Sequence, residues 1–166
     1  MKKFVCIAAL LFAAPLMAQT AAPTAPVTST FSVTTAVASL PVVGETVAAN
    51  ISGAALQVTP NVAVTNINVL SSGVQVYLGG LRYSYSLDKL IPKNWADSGW
   101  HFKVSGAASM GVSEYNTQHI AVMAGGSLSA EPPGTSKFSF VGGVYYLNAA
   151  GVSGHAVVAL GPQLSW

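Results

Sequence analysis

The sequence holds a single cysteine, Cys6, and it falls inside the first apolar stretch. The part of the chain that would remain after export therefore has no disulfide and no thiol chemistry, and the covalent staples that many small exported domains depend on are excluded. Charge is also scarce. Only 7% of residues are Asp, Glu, Lys or Arg, against about 25% in ordinary soluble domains. That leaves no basic patch to neutralise phosphates, so a nucleic-acid partner is excluded. Long hydrophobic runs are missing too. Past the first apolar stretch no segment approaches the roughly 20 apolar residues of a membrane-crossing helix, although 51% of the chain is hydrophobic. A chain this apolar, without such a helix, has to hide its surface another way. In a bilayer only helices and closed barrels satisfy every backbone group, which leaves the barrel.

The first residues read as a secretory signal. Lys2 and Lys3 give a basic start, Phe4 to Leu16 an apolar run, and Ala18 a small residue ahead of a cut before Gln19. Residues 1–18 are thus expected to be a cleaved signal peptide. Residues 19–30, rich in Ala, Pro and Thr, are expected to be a flexible leader. Loss of Lys2 and Lys3 leaves five basic residues (Arg82, Lys89, Lys93, Lys103, Lys137) against five acids (Glu45, Asp88, Asp97, Glu114, Glu131), so net charge is near zero.

From Phe31 onward short stretches rich in Val, Thr, Tyr, Phe and Gly are separated by turn residues, the rhythm of an all-β chain. Eight strands are expected: Phe31–Leu40, Glu45–Val58, Val62–Leu70, Val74–Leu87, Trp100–Ser113, Gln118–Ala130, Lys137–Leu147 and His155–Trp166. Most reach the 9–11 residues or so that a tilted membrane strand needs. Alternation is clearest in the second half. Trp100, Phe102, Val104, Ala108, Met110 and Val112 share one face, opposite His101, Lys103, Ser105 and Ser109. A soluble sheet with one wet face would alternate in the same way. The first three strands are weaker: Val62 and Val64 share a face with Asn66 and Asn68, and Glu45–Val58 changes phase near Gly53, which reads as a bulge or a misplaced boundary.

Placement of the aromatics favours a membrane. With both chain ends on one side, Phe31, Tyr83, Tyr85, Trp100, Phe102, Phe138, Phe140 and Trp166 fall at a single level, and Tyr77 and Tyr146 near the opposite one. Amphipathic rings favour the headgroup zone, so such girdles mark outer-membrane barrels. Mid-strand positions are instead glycine pairs (Gly79-Gly80, Gly125-Gly126, Gly142-Gly143), suited to the curvature and narrow interior of a small barrel. No nucleotide-binding glycine spacing is present.

The last residues, Gly161-Pro162-Gln163-Leu164-Ser165-Trp166, resemble the C-terminal assembly signal of outer-membrane proteins, with Gly161, Leu164 and Trp166 on its fixed positions. Ala159 stands where a polar residue is usual, and Pro162 removes a ladder donor. With this signal, residues 31–166 resemble the OmpA/OmpX-type superfamily of small outer-membrane β-barrels. The resemblance implies an eight-stranded antiparallel up-and-down transmembrane barrel, partnered by outer-membrane lipid and, during assembly, by the barrel-insertion machinery.

Arg82, Lys103, His101, His119 and His155 are expected to project into the lumen, with Glu131 near its lower end; a plug of hydrogen bonds and ion pairs should fill the interior. His119 and His155 fall near the outer mouth, but no Cys or carboxylate completes a metal set. No nucleophile motif is present, and no catalytic residue or cofactor is expected. Asp88–Gly99 is the longest connection, and Leu87–Lys93 has the makings of one helical turn. The expected role is that of a small structural, non-conducting barrel of the bacterial outer membrane. A secreted β-rich fibre or surface-layer subunit and a narrow outer-membrane channel are the alternatives.

Overall fold

The computed structural model describes residues 30–42, 45–115, 117–135 and 137–166. The expected signal peptide with Cys6, and the leader up to residue 29, lie outside the described residues. Eight strands run antiparallel in sequence order and close on themselves: β1 (Phe31–Val42), β2 (Glu45–Gln57), β3 (Val62–Ser71), β4 (Val74–Ser86), β5 (His101–Tyr115), β6 (Thr117–Glu131), β7 (Phe138–Ala149) and β8 (Val152–Ser165). β1 pairs with β8, and reciprocal backbone hydrogen bonds between Phe31 and Trp166 (3.0 and 2.9 Å) finish the seam. Every strand expected from the sequence is present. The fifth begins one residue later than expected, at His101, and the eighth three residues earlier, at Val152.

The register fixes the geometry. Followed once round by hydrogen-bonded partners, Phe31 leads to Leu56, Val64, Leu81, Ala108, Ala124, Tyr146 and Ala156. The β8–β1 register sets Ala159 opposite Ala38 and so carries Ala156 to Pro41, ten residues along from Phe31. A stagger of about 10 over eight strands corresponds to a strand tilt of roughly 40–45°. Along β5 the outward side chains Phe102, Val104, Ala108, Met110 and Val112 are all apolar. At about 3.3 Å per residue and this tilt they form a band roughly 25 Å tall, the height of the apolar band of an outer-membrane barrel.

The exterior is apolar round most of the circumference. Met110, Ile120, Leu160, Val144 and Val158 are each more than half exposed. Contiguous apolar surface on this scale drives association in water but suits lipid. Among the described residues no helix is long and apolar enough to cross a membrane, so the strands are what would cross it.

The interior has two layers. In the half away from the chain ends, Leu40, Val69, Val76, Leu78, Met123, Leu147 and Val157 point inward from six strands and pack into a closed apolar plug; Leu40 and Val76 are fully buried. The half beside the chain ends is lined by Ser, Thr and charged side chains round a cavity. A plug of hydrogen bonds and ion pairs filling the interior was the expectation, and this layering corrects it for the far half. The plug is apolar because a narrow barrel closed in mid-lumen would strand desolvated polar groups unless each found a partner.

The same layering removes the expected bulge in β2. Pairing of β1 with β2 runs unbroken from Phe31–Leu56 to Val42–Glu45. Ala49, Ile51, Gly53 and Ala55 all lie on the inward parity, and the apparent change of phase records the interior passing from polar to apolar. The register shift lies elsewhere, between Leu147 and Ala149 on the β7–β8 pair. In the long connection Leu87–Ile91 closes one turn, the Leu90 and Ile91 N–H groups both donating to the Leu87 carbonyl, and a separate short helix not expected from the sequence, α1, spans Lys93–Ala96 with Trp95 inside it.

Candidate functional site

The site built by this fold is the cavity in the terminal half of the lumen, about 410 Å³ in volume, blind beneath the apolar plug. Its roof is Ala36, Ile51, Ile67, Met123 and Ala159, and its walls carry Thr34, Thr65, Ser84, Ser105 and Ser127. These residues alternate with lipid-facing ones, which is how a single strand supplies both surfaces. Tyr145 also points inward. Its ring lies over Gly143, whose missing Cβ would come within 2.6 Å of it. Glycine at this position makes room for that ring.

Arg82 enters the cavity from β4. Its Nη2 donates a 3.5 Å hydrogen bond to Ser32 Oγ, while its Nε, though buried, has no hydrogen-bond partner. Thr65 Oγ1 and Ser109 Oγ are likewise buried without a partner. Thr65 and Ser109 flank Gly80 on opposite sides, since Gly80 pairs with both. Among the described residues Arg82 forms no ion pair. Nearer the mouth Lys103 Nζ lies 3.5 Å from Glu131 Oε2. His101 Nδ1 is 3.1 Å from Asp88 Oδ2, and the Phe102 backbone N–H donates to Asp88 Oδ1 at 3.1 Å. Partial burial alone would raise the Asp88 carboxyl. The Phe102 amide, the Ser86 hydroxyl and His101 more than offset this, so it sits below the ordinary carboxylate range. Asp88 thereby ties the long connection to the start of β5.

The residues singled out from the sequence do not converge on one point. Arg82, Lys103 and His101 line the cavity. His119 and His155 do not: they are exposed at the far rim, beyond the apolar plug. The Thr117 hydroxyl shares a 2.7 Å hydrogen bond with His119 Nε2. Among the described residues no cluster of His, Cys, Asp or Glu could hold a metal. Outward Phe31, Tyr83, Tyr85, Phe102, Phe138, Phe140 and Trp166 fall, by register and tilt, in a belt roughly 8 Å deep at the terminal rim. Trp100 lies just below, stacked on Phe102 at 6.2 Å, and Trp95 of α1 reaches the same ring at 5.9 Å. Phe31 meets Trp166 edge-on at 5.5 Å, and Phe138 meets Phe140 at 4.9 Å. At the C-terminal motif Leu164 and Trp166 face out, whereas Gly161 faces in, where a Cβ would strike the Thr35 carbonyl oxygen of β1.

Sequence reasoning missed Thr65 and Tyr145 as lumen residues. The pairing register, once known, finds Thr65, because it sets Thr65 opposite Gly80, on the same face of β4 as Arg82. A second feature was visible only as irregularity. Asn50, Ser52, Asn66 and Asn68 face outward on adjacent strands near mid-height, with Ser52 opposite Asn68.

No protein-family model matches the sequence, and no curated protein does. Two solved structures are similar in fold. One is the Neisserial surface protein A, with a TM-score of 0.56 and 10% identity over 82% of this chain and 95% of that one. The other comes from the de novo design of transmembrane β-barrels, with a TM-score of 0.53 and 16% identity over the same shares. This chain thus has the fold of a small eight-stranded transmembrane β-barrel.

Proposed function

We propose that this protein is a small structural barrel of the bacterial outer membrane, exported through a cleaved signal peptide, which spans the bilayer without conducting. The observation that carries this reading is the apolar plug. Leu40, Leu78, Leu147 and their neighbours pack into one buried apolar cluster in the far half of the lumen. An ion crossing this layer would have to shed its water against hydrocarbon, at a cost of many kcal/mol. The lipid-facing band, the aromatic belt and the basic-then-apolar start support the location. The motif at Gly161, Leu164 and Trp166 supports insertion by the barrel-assembly machinery. The polar cavity makes a narrow channel the second reading, but it meets the plug before it crosses.

The test is planar-bilayer recording on the refolded barrel, alongside a variant in which the plug is made polar (Leu40→Ser with Leu78→Ser). The wild type is expected to give no stepwise conductance and the variant to give it. Stepwise conductance through the wild type would replace this reading with the channel. Gel mobility before and after boiling, on fractionated membranes, tests the location. A folded barrel in the outer-membrane fraction should shift on heating.

A further inference from the structure

We infer that the blind half of the lumen is a binding site for a small organic anion, a carboxylate carrying a short apolar body. The charge balance motivates it. Arg82 stands in the cavity wall with no carboxylate beside it among the described residues, since Glu131 is taken by Lys103 and Asp88 by His101 at the mouth. A guanidinium held between lipid on one side and an apolar roof above requires an anion or a full set of hydrogen-bond acceptors. Ser32 supplies one long contact, and the Arg82 Nε–H has none.

One further group points the same way. Thr65 is 6% exposed and lines the cavity, and its hydroxyl has no partner. Buried hydroxyls normally find partners. Hydroxyl and guanidinium N–H donors beside one another form the donor set that a carboxylate accepts from. The roof asks for something different. Ala36, Ile51, Ile67, Met123 and Ala159 offer no polar side-chain atom. A ligand that satisfies both parts enters apolar end first and leaves its carboxylate at the level of Arg82. The volume of about 410 Å³ lies at the small end of the range for small-molecule pockets, about 300–1,000 Å³. An aliphatic acid of about six carbons, or a benzoate-sized one, fits that shape.

The probe is hexanoate, titrated into isotopically labelled barrel refolded in lipid nanodiscs and followed by the amide signals of Thr65, Ser84, Ser105 and Ser127. Saturable shifts confined to these residues are expected, with 1-hexanol giving none. Arg82→Gln should weaken binding at least tenfold, and Arg82→Lys, which keeps the charge, should weaken it less. Thr65→Val should weaken it by a smaller factor. Each variant is first checked for the heat-dependent mobility of a folded barrel, so a failure to fold is not mistaken for loss of binding. The inference is overturned if hexanoate gives no saturable shift, if hexanol matches it, or if Arg82→Gln binds equally well. Chloride reproducing the full effect would also overturn it, because the apolar roof would then play no part. None of these outcomes depends on whether the barrel conducts.

Discussion

Replacing Gly161 by alanine should break the barrel at its seam. Gly161 lies on β8 where it crosses β1, and a Cβ there would stand 1.8 Å from the Thr35 carbonyl oxygen and 2.7 Å from the Ala36 Cα. Ordinary carbon–oxygen contact is about 3.3 Å, so one strand must retreat by roughly 1.5 Å. Both colliding atoms belong to backbone, so no rotamer change relieves the overlap. Overpacking that side chains can absorb costs about 1–3 kcal/mol. A backbone collision in the closing pair should cost at least the upper figure, with the reciprocal hydrogen bonds of Phe31 and Trp166 also at stake. Gly111→Ala should behave alike, since its Cβ would meet the Tyr77 carbonyl oxygen at 1.9 Å. Gly79→Ala is the internal control: nothing lies within 4 Å of its Cβ position, and losing a glycine from a strand should leave stability unchanged or raise it by less than about 1 kcal/mol. The assay is urea unfolding after refolding in vitro from denaturant into lipid vesicles. This bypasses the cellular machinery, so the proposed role of Gly161 in assembly does not intrude. A midpoint for Gly161→Ala equal to that of Gly79→Ala would refute the reasoning.

Leu147→Ala, within the plug, should lose about 2–5 kcal/mol in the same assay, and the lipid-facing Val144→Ala clearly less, because lipid can fill the gap it leaves. Asn66→Leu with Asn68→Leu should stabilise the barrel in vesicles by about 1 kcal/mol or more, because exposed amides facing hydrocarbon lose their water; a loss of stability would mean that something hydrogen-bonds them there. The folded-state pKa of Asp88 is depressed, so its contribution is present above the unfolded value of 3.8 and is lost as pH falls below that through the folded value. Protease cutting of the Leu87–Trp100 connection should therefore accelerate below about pH 4, and Asp88→Asn should show faster cutting at neutral pH with no further acceleration in acid. Lys103→Met alone should change stability by under about 1 kcal/mol, because the pair with Glu131 is half exposed on the lysine side.

The strand count, the antiparallel order and the inward–outward parity of β4 to β8 were legible in the sequence because lipid demands apolar residues on one side of every strand. Placement of Arg82, Lys103 and His101 was legible for the same reason. β1 to β3 were harder to read. There the interior turns apolar at Ala38, Leu40, Ala49 and Val69 while Asn50, Asn66 and Asn68 face out, so hydrophobicity no longer tells the two sides apart. The pattern suggested a bulge or a misplaced boundary near Gly53, where the pairing is in fact unbroken. The cavity itself was illegible, because Thr65 and Tyr145 come to line it with Arg82 only through a pairing register that local periodicity does not encode.

The seam between Phe31 and Trp166 also sets a timetable. Seven of the eight strand pairings join segments adjacent along the chain, and each can zip up as a hairpin once its second strand exists. The eighth unites the opposite extremities of the folded region. Until β8 arrives, the free edge of β1 is an open template for any passing strand. Whatever escorts this polypeptide to the membrane must guard that edge until β8 pairs with it.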